Sequence, residues 1–147
     1  MTLRQSPLFL LAAALLCLPA SPALGDDLSP EPRRKFTRVL APDGIQIRRY
    51  NKTDGPSPAK NDRVVVHYHG TLENGKVFDT TRRRGRAVAM RLDGAIPCWK
   101  KALPRLRVGE RAQIVCPAEE AYGAKGSPPA IPGGARLTFE VELVGIH

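Results

Sequence analysis

Cysteine, aromatic residues and acidic charge are all scarce in this chain. Its 147 residues include 3 Cys, 1 Trp, 3 Tyr and 4 Phe. So few cysteines, with no Cys-x-x-Cys, exclude a disulfide-dense scaffold and a zinc site of recognisable spacing. No apolar run reaches the ~20 residues that span a bilayer. There is no Gly-x-Ser-x-Gly, no Gly-x-Gly-x-x-Gly and no phosphate-binding loop, so the common hydrolase and nucleotide-binding signatures are missing. At 5% aromatic content, no stacking platform for single-stranded nucleic acid is evident. The 14 acidic residues face 23 Lys and Arg, a formal charge of +9 that favours acidic partners without specifying a fold. A chain of this length, 42% hydrophobic and 25% charged, reads as one globular domain rather than low-complexity disorder or a coiled coil.

The N-terminus reads as a targeting segment. Arg4 precedes the apolar run 8–18, and small residues and prolines fill 19–25. That pattern predicts a signal peptide over 1–25, cleaved after Gly25. Residues 26–43, interrupted by Pro30, Pro32 and Pro42, read as a flexible lead-in. The remaining domain is expected over 44–147. Cys98 and Cys116 stay in an exported chain, where they could pair or remain two buried thiols, since both lie in apolar runs.

Alternation places the strands. Ile45-Gln-Ile-Arg has the period of a half-buried strand. From Arg63 to His69, Val64, Val66 and Tyr68 share one face, while Val65, His67 and His69 share the other. Asn74-Gly75 predicts a type I′ hairpin leading into Lys76-Val-Phe-Asp79. Val88, Met90 and Leu92 mark another face, as do Ala112, Ile114 and Cys116. A short helix is expected over 96–103, with Pro97 in its first turn and Pro104 as its stop. The Gly/Pro-rich stretch 122–134 reads as a loop. Leu137, Phe139, Val141 and Leu143 give the clearest strand. The sum is α+β: a twisted antiparallel sheet around one short helix.

Taken singly, the chemical candidates are weak. His67 and His69 lack a third ligand, and Arg82-Arg-Arg-Gly-Arg86 is most simply a solvated loop. Tyr68, Phe78, Trp99, Tyr122 and Phe139 could each be core, or together line one apolar pocket.

The order and spacing of several motifs add to this reading. The stretches Val65-Val-His-Tyr-His-Gly-Thr-Leu-Glu-Asn-Gly-Lys-Val-Phe-Asp79, Arg91-Leu-Asp-Gly-Ala-Ile-Pro-Cys-Trp99, Val108-Gly-Glu-Arg111, Ala121-Tyr-Gly123 and Leu137-Thr-Phe-Glu-Val-Glu-Leu143 together resemble the FKBP-type peptidyl-prolyl isomerases, and the exported bacterial members most of all. The resemblance implies the FKBP-like fold and acceleration of X–Pro isomerisation, in the service of folding exported proteins. It implies a catalytic set of Tyr68, Phe78, Asp79, Ile96, Trp99, Tyr122 and Phe139. Trp99 would be the floor beneath the proline ring; Tyr68, Phe78 and Phe139 would be walls. The Ile96 backbone N–H would bond a substrate carbonyl, and Tyr122 would offer its hydroxyl. Arg84, as partner of Asp79, would contact substrate with Val88, Ala95, Ser127, Ala130 and Ile131.

No metal and no cofactor is implied. The implied partners are proline-containing unfolded or nascent polypeptides, with no nucleic acid, no stable membrane insertion and a monomeric state. Macrolides such as rapamycin would bind less tightly, because Cys98, Val88, Ser127 and Ala130 depart from the family's usual residues. Localisation would be the periplasm or secretion. The alternative is the endoplasmic reticulum lumen, where Asn51-Lys-Thr53 would be a glycosylation sequon. A second functional reading is a non-catalytic FKBP-like binding or chaperone module. A third is polyanion binding driven by net charge.

Overall fold

The computed structural model describes residues 37–147; the expected signal segment and residues 26–36 of the expected lead-in lie outside them. The sheet is formed by β1 (Thr37–Leu40), β2 (Gln46–Arg49), β3 (Arg63–Leu72), β4 (Val77–Thr80), β5 (Val88–Arg91), β6 (Arg111–Cys116) and β7 (Leu137–Ile146), with one helix, α1 (Pro97–Ala102). It starts earlier than the alternation at Ile45 signals, because β1 pairs antiparallel with β2 from Thr37↔Arg49 to Leu40↔Gln46.

Every pairing is antiparallel, in the order β1-β2-β6-β7-β3-β4, with β5 also on β3. The last strand in sequence therefore lies in the middle. β7 pairs with β6 along one edge and with β3 along the other. β5 and β4 share the far edge of β3, opposite its first and second halves respectively.

Alternation works as expected. Ile45, Ile47, Val64, Val66, Ala112, Ile114, Leu137 and Leu143 are fully buried. Each of the Val, Ile and Leu side chains contributes ~1.5–3 kcal/mol by leaving water. Ala102, Leu103 and Leu106 join the same core from α1 and the turn after it.

The helix is shorter than the expected 96–103. Ile96 is its non-helical N-cap and Pro97 its first residue; a 3-10 turn, Leu103–Arg105, then carries the chain through Pro104. Proline cannot supply the N–H that would continue the α-helix.

The β3–β4 turn is also not type I′, which needs positive φ at both central residues. Gly75 has φ 82°, but Asn74 is not in the positive-φ region. Instead the Asn74 side chain accepts from the Lys76 N–H at 2.9 Å, and the register shifts at Gly70/Thr71. An Asx turn with a bulge takes the place of the mirror-image turn.

Cys98 in α1 and Cys116 at the end of β6 form a disulfide, and both are fully buried. The bridge ties the helix to the sheet. Glu110 is buried as well; its carboxylate accepts from the Arg107 and Thr53 N–H groups at 3.1 and 3.4 Å and lies 3.5 Å from Arg49 Nε. Asn51 and Thr53, the sequon pair, hold the same region: Asn51 Nδ2 donates to the Gly109 carbonyl at 2.9 Å, and Thr53 Oγ1 to that of Val108 at 2.7 Å.

Candidate active site

The sheet and the helix bring aromatic rings together from distant parts of the chain. Tyr68 comes from β3, Phe78 from β4, Trp99 from α1 and Phe139 from β7. Trp99 and Phe139 are 3% and 4% exposed and pack edge-on, with centroids 5.2 Å apart at 77°. Tyr68 meets Trp99 edge-on at 5.3 Å, and Phe78 meets Phe139 at 5.5 Å. Such edge-to-face contacts match the positive ring edge to the negative ring face. A side chain at position 70 is incompatible with this wall. A Cβ on Gly70 would lie 2.5 Å from the Phe78 ring, so only glycine lets the ring sit there.

These rings line a cavity of about 420 Å³ with Asp79, Met90, Arg91, Gly94, Ala95, Ile96 and Tyr122. All seven residues expected in the catalytic set are therefore on its wall, together with Ala95. Arg84, Val88, Ser127, Ala130 and Ile131 are not. Val88 is half-buried opposite Val66, and Ile131 is buried in the core cluster. Ser127 and Ala130 are exposed on the 122–134 loop, where Ser127 and Ile131 form an isolated bridge. Met90, Arg91 and Gly94 are not among the residues expected in the site. They line the cavity because β5 pairs with β3 and leads into the turn Leu92–Gly94 before α1.

Polar groups are few and placed at the edge. The Tyr68 hydroxyl donates to Asp79 Oδ2. Asp79 Oδ1 accepts from the Thr80 N–H and from the Arg84 guanidinium, each at 2.8 Å. Burial, then the hydrogen bond and charge of Asp79, push the Tyr68 hydroxyl from 10.0 up to about 12. It therefore remains a donor near neutral pH. The Ile96 carbonyl accepts from the Trp99 and Lys100 N–H groups at 3.0 and 3.2 Å, while its own N–H has no partner among the described residues. The buried Trp99 indole N–H likewise has none among them. Thr81, fully buried, anchors the start of the basic turn: its Oγ1 lies 3.0 Å from the Tyr68 N and 3.2 Å from the Tyr68 carbonyl.

Outside the cavity, His67 and His69 sit against Thr81 and Thr80, with Nδ1 to Oγ1 distances of 3.1 Å in each case. Among the described residues, no group of three or more His, Cys, Asp or Glu is arranged to hold a metal ion, and no helix is long and apolar enough to cross a membrane.

Comparison with known proteins agrees with this architecture. Residues 55–144 match the family model described as FKBP-type peptidyl-prolyl cis-trans isomerase. The chain is 43% identical over 103 residues to the FKBP-type 22 kDa peptidyl-prolyl cis-trans isomerase of Escherichia coli, covering 70% of this chain and 50% of that protein. It is 40% identical over 107 residues to FK506-binding protein 1A of Emericella nidulans, covering 71% of this chain and 99% of the fungal one. Among solved structures, the peptidyl-prolyl cis-trans isomerase of Pseudomonas syringae pv. tomato superposes with a TM-score of 0.70 at 35% identity, covering 74% of this chain and 80% of that one. The chain thus spans half of the E. coli relative and nearly all of the fungal one.

Proposed function

The chain belongs to the FKBP-type peptidyl-prolyl cis-trans isomerases, and we propose that its aromatic cavity is where the X–Pro amide is desolvated and twisted. The observation that carries this reading is the convergence of Tyr68, Phe78, Trp99 and Phe139, from separate elements, on one cavity of about 420 Å³. An unaided X–Pro bond isomerises over tens to hundreds of seconds because amide resonance imposes a barrier of ~18–20 kcal/mol. Resonance puts charge on the carbonyl oxygen, and water stabilises that charge. A dry aromatic site favours the twisted, less polar amide. Trp99 supports the proline ring. The free Ile96 N–H holds a neighbouring carbonyl, and the Tyr122 hydroxyl is a second donor. Donors already in place strengthen the twisted state over the planar one, as catalysis requires. No nucleophile or general base is needed, and each ~1.4 kcal/mol of differential binding gives a tenfold rate increase.

The same cavity takes macrolides such as FK506. The cellular role is the folding of exported proteins. Two features support export: the apolar run 8–18 followed by small residues, and a buried disulfide, which persists in oxidising compartments.

An NMR-exchange isomerisation assay on proline peptides tests the site. Acceleration by the wild type, lost in Trp99→Ala and reduced in Asp79→Val with folding intact, is the expected result. Full acceleration in a folded Trp99→Ala variant would overturn the assignment of the cavity. N-terminal sequencing of the protein recovered from the expressing cells checks export, with Asp26 as the expected first residue.

A further inference from the structure

The turn Arg82–Arg84 and the residues after it carry guanidinium groups in unlike circumstances. Arg82 is held by Glu140 at 2.8 Å, and Arg84 by Asp79 at 2.8 Å. Arg83 and Arg86 are exposed and have no ion-pair partner among the described residues. Arg83 lines a cavity beside the turn. That cavity, about 190 Å³, is bounded by Val77, Phe78, Asp79, Thr80, Arg83 and Arg84. Phe78 and Asp79 are also walls of the aromatic cavity, so the two spaces adjoin.

From this placement we infer that Arg83 is a specificity residue, selecting an acidic side chain on a residue flanking the substrate proline. The inference rests on the proline being seated in the aromatic cavity. A flanking side chain then reaches the smaller cavity past Phe78 and Asp79. The Asp79 carboxylate does not repel it strongly, since Arg84 and the Tyr68 hydroxyl already bind that group. Arg83 has no counter-charge among the described residues, and a guanidinium offers a carboxylate a planar, two-toothed donor face. Arg91, on the wall of the aromatic cavity, cannot play this part, because Asp93 grips it at both Nε and a terminal nitrogen, at 3.1 and 2.6 Å. Arg83 is thus a guanidinium of the basic turn that lies beside the site and has no ion-pair partner among the described residues.

The test measures kcat/KM by NMR exchange for matched peptides with Glu, Gln or Lys immediately before or after the proline. The readout is the Glu/Gln ratio within each variant, so a change in overall rate does not enter. In at least one of the two peptide series the wild-type ratio is expected at about two- to fivefold, the range of a solvent-exposed ion pair, with Lys disfavoured. It should fall towards one as salt rises from about 20 mM to about 0.5 M. Arg83→Gln should bring the ratio near one, Arg83→Glu should invert it, and Arg86→Gln should retain it. A wild-type ratio near one in both series, with normal turnover of the Gln peptides, overturns this inference alone. Equal loss in Arg86→Gln and Arg83→Gln overturns it too, by pointing to bulk positive charge. If the wild type fails to turn over the Gln peptides, the placement of the proline fails first and the inference falls with it.

Discussion

Trp99 and Arg84 stand on opposite sides of one boundary. Trp99 is 3% exposed, in edge-on contact with two rings, and adjoins a disulfide-bonded cysteine. The Arg84 side chain is 51% exposed and is held by a single carboxylate. The floor of the cavity is over-determined by packing, where each large ring is worth several kcal/mol. The rim is made of exposed ion pairs worth about 0–1 kcal/mol apiece. Shape therefore belongs to the floor, while the rim can change its charge at little cost to the fold.

The largest effect should come from the floor. Trp99→Ala is expected to destabilise by about 3–5 kcal/mol in urea titration; Trp99→Phe, which keeps a ring, should stay folded and separate lost activity from lost structure. Next comes the bridge beneath it. Cys98→Ala with Cys116→Ala opens a link across 18 residues, and should cost about 3 kcal/mol, with stability no longer responsive to reductant. A result near zero would mean that packing alone fixes the helix. Asp79→Asn tests the seam between floor and rim. Losing the charge that Arg84 and Tyr68 share should cost about 1–2 kcal/mol. Arg84→Gln, purely at the rim, should cost under about 1 kcal/mol; a larger loss would erase the distinction between the two regions.

The smallest effect at neutral pH is that of Tyr68. Its hydroxyl is raised from 10.0 to about 12 in the folded state, so the folded protein holds that proton more tightly. The stabilisation is fully present below pH 10 and is lost as pH rises towards about 12. Urea midpoints across that window should decline less in Tyr68→Phe than in the wild type.

What could be read from the residues was whatever hydropathy period or motif order records. The Leu137, Phe139, Val141 and Leu143 alternation exposed β7 because one face is wholly buried and the other is not. The seven cavity residues of the expected catalytic set were reached through motif order; as isolated aromatics they were indistinguishable from core. β1 was missed because a short edge strand in a Pro- and Arg-rich stretch buries too little to show a period. The pairing of Cys98 with Cys116 was left open because sequence separation does not fix the distance between Cα atoms, here 5.8 Å. Thr81 and Glu110 look like surface residues by composition, yet are 0% and 1% exposed. Hydrogen bonding makes their burial tolerable, and hydropathy does not register it. Met90 and Arg91 reach the cavity through the β3–β5 register, a long-range pairing that no local window contains.

The central position of β7 has a consequence for the time course of folding. β1, β2 and β6 form one run of strands, β3, β4 and β5 another, and among the described strands β7 joins them. While a polypeptide is being made from its N-terminus, both runs exist before Leu137 is added, each with an open row of backbone donors and acceptors. Neither can complete the core, since Phe139, Val141 and Leu143 have not yet arrived. The closing contacts, such as Val64 with Ile146, join segments more than half a chain apart. Topologies governed by such distant pairings fold in milliseconds to seconds rather than microseconds. The newly made chain therefore cannot complete its sheet before β7 is available, and then closes along both edges of that one strand.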